Sequence, residues 1–111
     1  MKNAPKQGEI IKLNLNPTKG HEQSGYRPVL VVNNASFSKA SNMLLVCPIT
    51  NTDRANPLHV QIKESKTIGF ILCDQIRVVD VQSRDFQMVE KIDEDTLWEV
   101  CDILKGAVDL E

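Results

Sequence analysis

Six short apolar runs, none longer than eight residues, precede the one stretch of this 111-residue chain that has helical periodicity. Runs of that length, ended by turn-forming or charged residues, are strands, and strands so short must bend together around a core. In the first run Ile11, Leu13 and Leu15 alternate with Ile10, Lys12 and Asn14 until Asn16-Pro17 ends it. That period of two predicts a half-buried strand with Ile10 on the outer side. Residues 28–32 read as a fully buried strand stopped by Asn33-Asn34, and the polar stretch 36–42 around Phe37 predicts one helical turn. Residues 43–50 form a third strand, in which Pro48 marks an edge position or a bulge. Leu58, Val60 and Ile62 alternate with His59 and Gln61 in a fourth, which turns His59 outward to solvent. Runs 68–73 and 75–79, with Asp74 between them, are two strands or one long bent one.

The helix begins at Asp93, a good N-cap, with Glu94 and Asp95 in the first turn where acids favour its dipole. Leu97, Val100, Cys101, Leu104, Ala107 and Val108 then recur every three or four residues, the stripe of a helix packed on a sheet. Trp98 falls off that stripe and is expected to anchor an interface or cover the sheet edge. The fold class expected is mainly β with a C-terminal helix (α+β): a small, strongly bent antiparallel sheet or partly open barrel. Its length makes residues 1–111 a single domain. Unpaired strand edges in so small a sheet favour a homodimer.

Cys47, Cys73 and Cys101 are odd in number and widely spaced in apolar runs, which predicts buried free thiols rather than disulfides or a metal knuckle. No run approaches the roughly 18 apolar residues of a membrane span, and the first residues lack the apolar segment of a signal peptide. A cytoplasmic protein with no membrane partner is expected. The net charge is −2, but residues 1–89 sum to +4 and the acids are concentrated in residues 90–111. A basic body of that kind can present a positive groove to phosphates, since local field rather than total charge steers a polyanion.

The residues with the most chemistry lie together in Gly20-His21-Glu22-Gln23-Ser24-Gly25-Tyr26-Arg27-Pro28. Glycines bracket the loop and let it turn tightly, aiming an imidazole, a carboxylate, an amide and a guanidinium at one region. Arg27 offers a fork of donors that matches phosphate oxygens. His21 titrates near neutrality and can serve as acid or base.

This stretch, with Gly8-Glu9-Ile10 and Asn16-Pro17-Thr18-Lys19 before it and Cys47-Pro48-Ile49-Thr50 and Cys73-Asp74-Gln75-Ile76-Arg77 after it, resembles the MazF/PemK/Kid toxins of bacterial toxin–antitoxin modules. The patches occur in the family's order, and the likeness runs from about residue 8 to residue 109. The resemblance implies a homodimeric SH3-like barrel that cuts single-stranded mRNA at short sequences. It implies no metal and no cofactor, and neutralisation by a cognate antitoxin of the MazE/PemI type. RNA carries its own nucleophile, the 2′-hydroxyl, so the site needs a base, an acid for the 5′-oxygen and fixed positive charge. The expected products are a 2′,3′-cyclic phosphate and a 5′-hydroxyl.

By resemblance, Arg27 and Thr50 align with the family's catalytic arginine and threonine, and Asp74 with a carboxylate given the base role in the PemK/Kid branch. That branch has an arginine where this chain has Leu72, so Arg27 or His21 would have to supply the acid. His21, Glu22 and Asp74 remain open as proton carriers. Gln23, Asn33, Phe37, Arg54 and Gln75 are candidates for reading unstacked bases, and Arg77 for holding phosphate. The alternative is a non-catalytic toxin on the same scaffold, like CcdB, that binds DNA gyrase.

Overall fold

In the first strand of the computed structural model, β1 (Glu9–Asn14), Ile11 and Leu13 are buried and Lys12 and Asn14 exposed, as the alternation predicts, but Ile10 is buried as well. The structure describes residues 4–15, 25–52, 55–83 and 85–111. Ile11, Leu13 and Leu15 enter one buried cluster with Val29, Val31, Val46 and Val79. Ile10 enters another, with Leu30, Ile49, Val60, Ile71 and Val100. The outer position expected for Ile10 is therefore wrong: the C-terminal helix α2 (Glu94–Ala107) contributes Val100 to that side and takes it out of water. Sheet faces buried on both sides also explain why β2 (Tyr26–Val31) ends in an unbroken apolar run.

β2 pairs antiparallel with β1 on one side and with β3 (Leu44–Thr50) on the other. The remaining strands are β4 (His59–Gln61), β5 (Phe70–Leu72), β6 (Arg77–Val79) and β7 (Phe86–Lys91). They form one antiparallel sheet in the order β4-β5-β3-β2-β1-β7, with β6 also paired to β3. The two runs around Asp74 are thus two strands, joined by a 3₁₀ turn at Cys73–Gln75. β7 has no counterpart in the sequence reading.

Pro48 lies in a central strand, not at an edge. β6 pairs with Leu44, Leu45 and Val46, and β5 with Ile49 and Thr50, so Pro48 sits where β3 exchanges one partner for the other. A missing N–H breaks no ladder bond at such a junction.

Residues 35–41 form two helical turns, α1 (Ala35–Ser41), rather than one. Asn34 caps it by accepting from the Phe37 N–H at 3.0 Å, and Asn42, at φ 58°, turns its N–H back to the Ser38 carbonyl. In α2 the Asp93 cap accepts from both the N–H and the hydroxyl of Thr96, at 3.0 and 2.7 Å. Val108 lies past the last turn and is exposed, and Trp98 projects into solvent rather than covering the sheet. Cys47 and Cys73 are buried free thiols, as expected, and Cys101 is half-buried. The hydrogen bond between Cys47 and Cys73, with burial, pushes the Cys47 thiol up, and the same bond holds Cys73 down.

Two carboxylates tie the β7–α2 junction to the turn at residues 65–67. Glu90 accepts from the Thr67 hydroxyl and N–H, both at 2.6 Å, which holds its carboxyl below the ordinary value of 4.5. Partial burial pushes Asp93 up, but the bonds from Thr96 and Ser65 outweigh it and leave the carboxyl below 3.8. Both folded-state values are depressed, so their stabilisation is complete above the unfolded values and is lost as pH falls through the folded ones. Melting temperature should be flat above about pH 5 and fall below about pH 4. Asp93→Asn should flatten part of that fall.

Candidate active site

The β2–β3 register builds the site. Val29 faces Pro48 and Val31 faces Val46, and the ladder ends there, two residues short of Arg27 on β2 and of Thr50 on β3. The exposed Arg27 and the buried Thr50 thus lie at the same end of the two strands. Thr50 is 6% exposed, and its hydroxyl accepts from the Thr52 N–H at 3.2 Å, which leaves that oxygen its own proton to donate.

The same end of the sheet holds the neck of the polar loop. The Leu15 N–H donates to the Gly25 carbonyl at 2.9 Å, joining the two ends of the stretch that carries His21, Glu22 and Gln23. Those three residues, and Arg54, lie outside the described residues. Arg77, expected to hold phosphate, donates from Nη1 to the Leu15 carbonyl at 3.0 Å and so braces the neck from β6. Arg77→Ala should therefore lower folding stability by about 1 to 3 kcal/mol, because it removes a charge-assisted bond and leaves a half-buried carbonyl unpartnered. A shift in the urea midpoint at unchanged slope would show it.

Asp74 belongs to a second group. Its Oδ1 lies 3.0 Å from Nε2 of His59, whose side chain is only 6% exposed. The solvated His59 expected from strand alternation is thus wrong. His59 is paired with Leu72 across the β4–β5 ladder, and the 3₁₀ turn then folds Asp74 back over the ring, held by the Cys73 N–H on the Leu58 carbonyl. Gln75 ends this turn, half-buried. His59 is the residue that sequence reasoning missed, and the only local signal for it was a histidine beside an apolar run.

Asn33 and Phe37 stand at the opposite end of β2, roughly 20 Å from Arg27 at about 3.3 Å per strand residue. The amide of Asn33 is spent on the protein itself: Nδ2 donates to the Asn34 carbonyl and the Ser38 hydroxyl, and Oδ1 accepts from the Leu45 N–H. Phe37 is half-buried in α1. The structure thus brings Arg27, Thr50 and Arg77 to the loop neck, pairs Asp74 with His59, and separates Asn33 and Phe37 from both. Among the described residues no group of three His, Cys, Asp or Glu side chains is arranged to hold a metal ion.

Comparison with known proteins bears on this arrangement. Residues 6–108 match the family of PemK-like, MazF-like toxins of type II toxin–antitoxin systems. The chain is 36% identical to Endoribonuclease PemK of Escherichia coli over 99 residues, which cover 85% of this chain and 74% of that protein. It is 37% identical to Endoribonuclease EndoA of Bacillus subtilis over 103 residues, covering 80% and 88%. The crystal structure of MazF from Deinococcus radiodurans superposes with a TM-score of 0.85 at 30% identity, covering 96% of this chain and 97% of that one. A MazE-MazF structure from the same organism gives 0.80 at 27% identity, covering 96% and 98%.

Proposed function

Because the chain belongs to the PemK-like, MazF-like toxin family of type II toxin–antitoxin systems, we propose that it is the toxin of such a module, an endoribonuclease that cuts single-stranded mRNA at a short sequence. The observation that supports this reading is that Arg27 and Thr50 each lie two residues beyond the last β2–β3 pair, at the end of the strands next to the neck of the polar loop. A phosphodiester docked there meets a guanidinium fork and a hydroxyl donor, the two groups needed to stabilise a phosphorane. The 2′-oxygen attacks the adjacent phosphorus, its proton passing to a base, and the P–O5′ bond breaks as an acid protonates the leaving oxygen. His21, Glu22 and Asp74 are the candidates for those transfers. If Asp74 is the base, the His59 contact fixes the orientation of its carboxylate.

The whole of residues 1–111 acts in this reading as one toxin domain, in the cytoplasm where its mRNA substrate is. Among the described residues no helix is long and apolar enough to cross a membrane. A cognate MazE/PemI-like antitoxin is the partner, supported by the solved complexes of MazF with MazE from Deinococcus radiodurans. A homodimer is supported by the edge strands of the sheet, among them β7, which exposes Phe86, Met88 and Val89.

Purified protein incubated with a long single-stranded RNA in EDTA should cut at discrete sites and leave 2′,3′-cyclic phosphate and 5′-hydroxyl ends. RNA left intact would overturn the nuclease reading.

A further inference from the structure

At the end of β2 remote from Arg27 and Thr50, three segments far apart in the chain enclose a cavity of about 600 Å³. They are residues 4–7, the start of α1 with the two asparagines before it, and Lys91 at the end of β7. Lys6, Lys39 and Lys91 line it, and among the described residues no carboxylate does. Among the described residues none of the three ammonium groups has an acidic oxygen within 4.0 Å. Glu9, the nearest acid in sequence to Lys6, has its Oε1 engaged by the Lys6 backbone N–H at 2.6 Å.

The walls are preorganised. Gln7 Nε2 donates to the Val32 carbonyl at 2.9 Å, the Gly8 N–H to the Val31 carbonyl at 2.8 Å, and the Ile92 N–H to the Gly8 carbonyl at 2.8 Å. These bonds fasten the N-terminal segment to β2 and to the end of β7. The three bonds of Asn33 fix the floor against α1. Ala4, Pro5 and Ala35 add an apolar wall. A concave, mostly apolar site lined by three lysines suits a small anion.

We propose that this cavity is a second binding site, separate from the cleavage site, for a small ligand carrying a chain of two or three phosphates. Three ammonium groups on three different segments, none with an acidic partner among the described residues, match a polyanion that bridges them better than a single phosphate. The volume accommodates the phosphate chain alone or with a nucleoside against the apolar wall. The inference does not depend on the nuclease reading, since none of the three lysines belongs to the proposed cleavage machinery.

The test is titration calorimetry of the whole chain with inorganic tripolyphosphate and, separately, with ATP, alongside amide chemical-shift mapping. Saturable binding that shifts Asn33, Ser38 and Lys91 and weakens with added salt is expected. Lys39→Ala and Lys91→Ala should each lower affinity about five- to tenfold, while Lys105→Ala, on α2, should leave it unchanged. Tighter binding of ATP would identify a nucleotide as the source of the phosphates, and equal binding the phosphate chain alone. Absence of saturable binding by both compounds would overturn the proposal. So would equal weakening by Lys105→Ala, which marks general charge attraction.

Discussion

Arg27→Ala should lower the rate of RNA cleavage by about 10² to 10³-fold while leaving the fold intact, the loss typical of removing one donor from a developing oxyanion. Arg27 is exposed at the start of β2, so its truncation removes no core contact. Arg27→Lys separates charge from geometry: it keeps one positive charge and loses the bidentate fork, and its rate should fall between wild type and alanine. Single-turnover cleavage of a short RNA containing one mapped site would measure all three. Cutting retained by the alanine variant would remove Arg27 from the mechanism.

The second large effect is structural and lies under Thr50. Gly69 has φ +138°, and a Cβ built there would sit 2.5 Å from the Thr50 carbonyl oxygen and 3.3 Å from Oδ1 of Asn51. The near neighbour is backbone, which cannot swing aside. Gly69 also supplies the carbonyl that accepts the Ile62 N–H, so the β4–β5 turn cannot shift without breaking that bond. Gly69→Ala should combine backbone strain with overpacking and destabilise the fold by about 2 to 5 kcal/mol. Chemical denaturation would read this as a large drop in midpoint. In whatever fraction remains folded, Thr50 is displaced at the candidate site, so cleavage per folded molecule should fall as well. A variant with wild-type midpoint and wild-type rate would show that the close approach is relaxed at no cost.

Much of this arrangement was legible from local pattern. Strands with a continuous apolar run or clean alternation, such as residues 28–32 and 58–62, announced themselves, and Asp93 announced the helix. β7 did not. Among the described residues it pairs only with β1, and Phe86, Met88 and Val89 are exposed along with Gln87, so burial imposed no period of two on its sequence. Pro48 misled because an edge is the usual place for proline, and nothing near it tells that β3 changes partners there. His59 failed for a long-range reason: alternation gives the face of β4 it occupies, but not that Asp74 folds over that face from the next turn. The roles of Arg27 and Thr50 rested on family likeness in the sequence, and the β2–β3 ladder ends two residues short of both.

The pairing of β1 with β7 joins the first strand of the sheet to the last. Seen from the ribosome, this is a matter of timing. N-terminal strands emerge first, yet Ile10 cannot be sealed from water until Ile92 and Val100 have followed them out. Contacts between such distant parts of a chain form late. A nascent copy should therefore remain unfinished until residues 92–100 have emerged. A toxin made by translating an mRNA would then become competent to attack mRNA only after that late segment has been made.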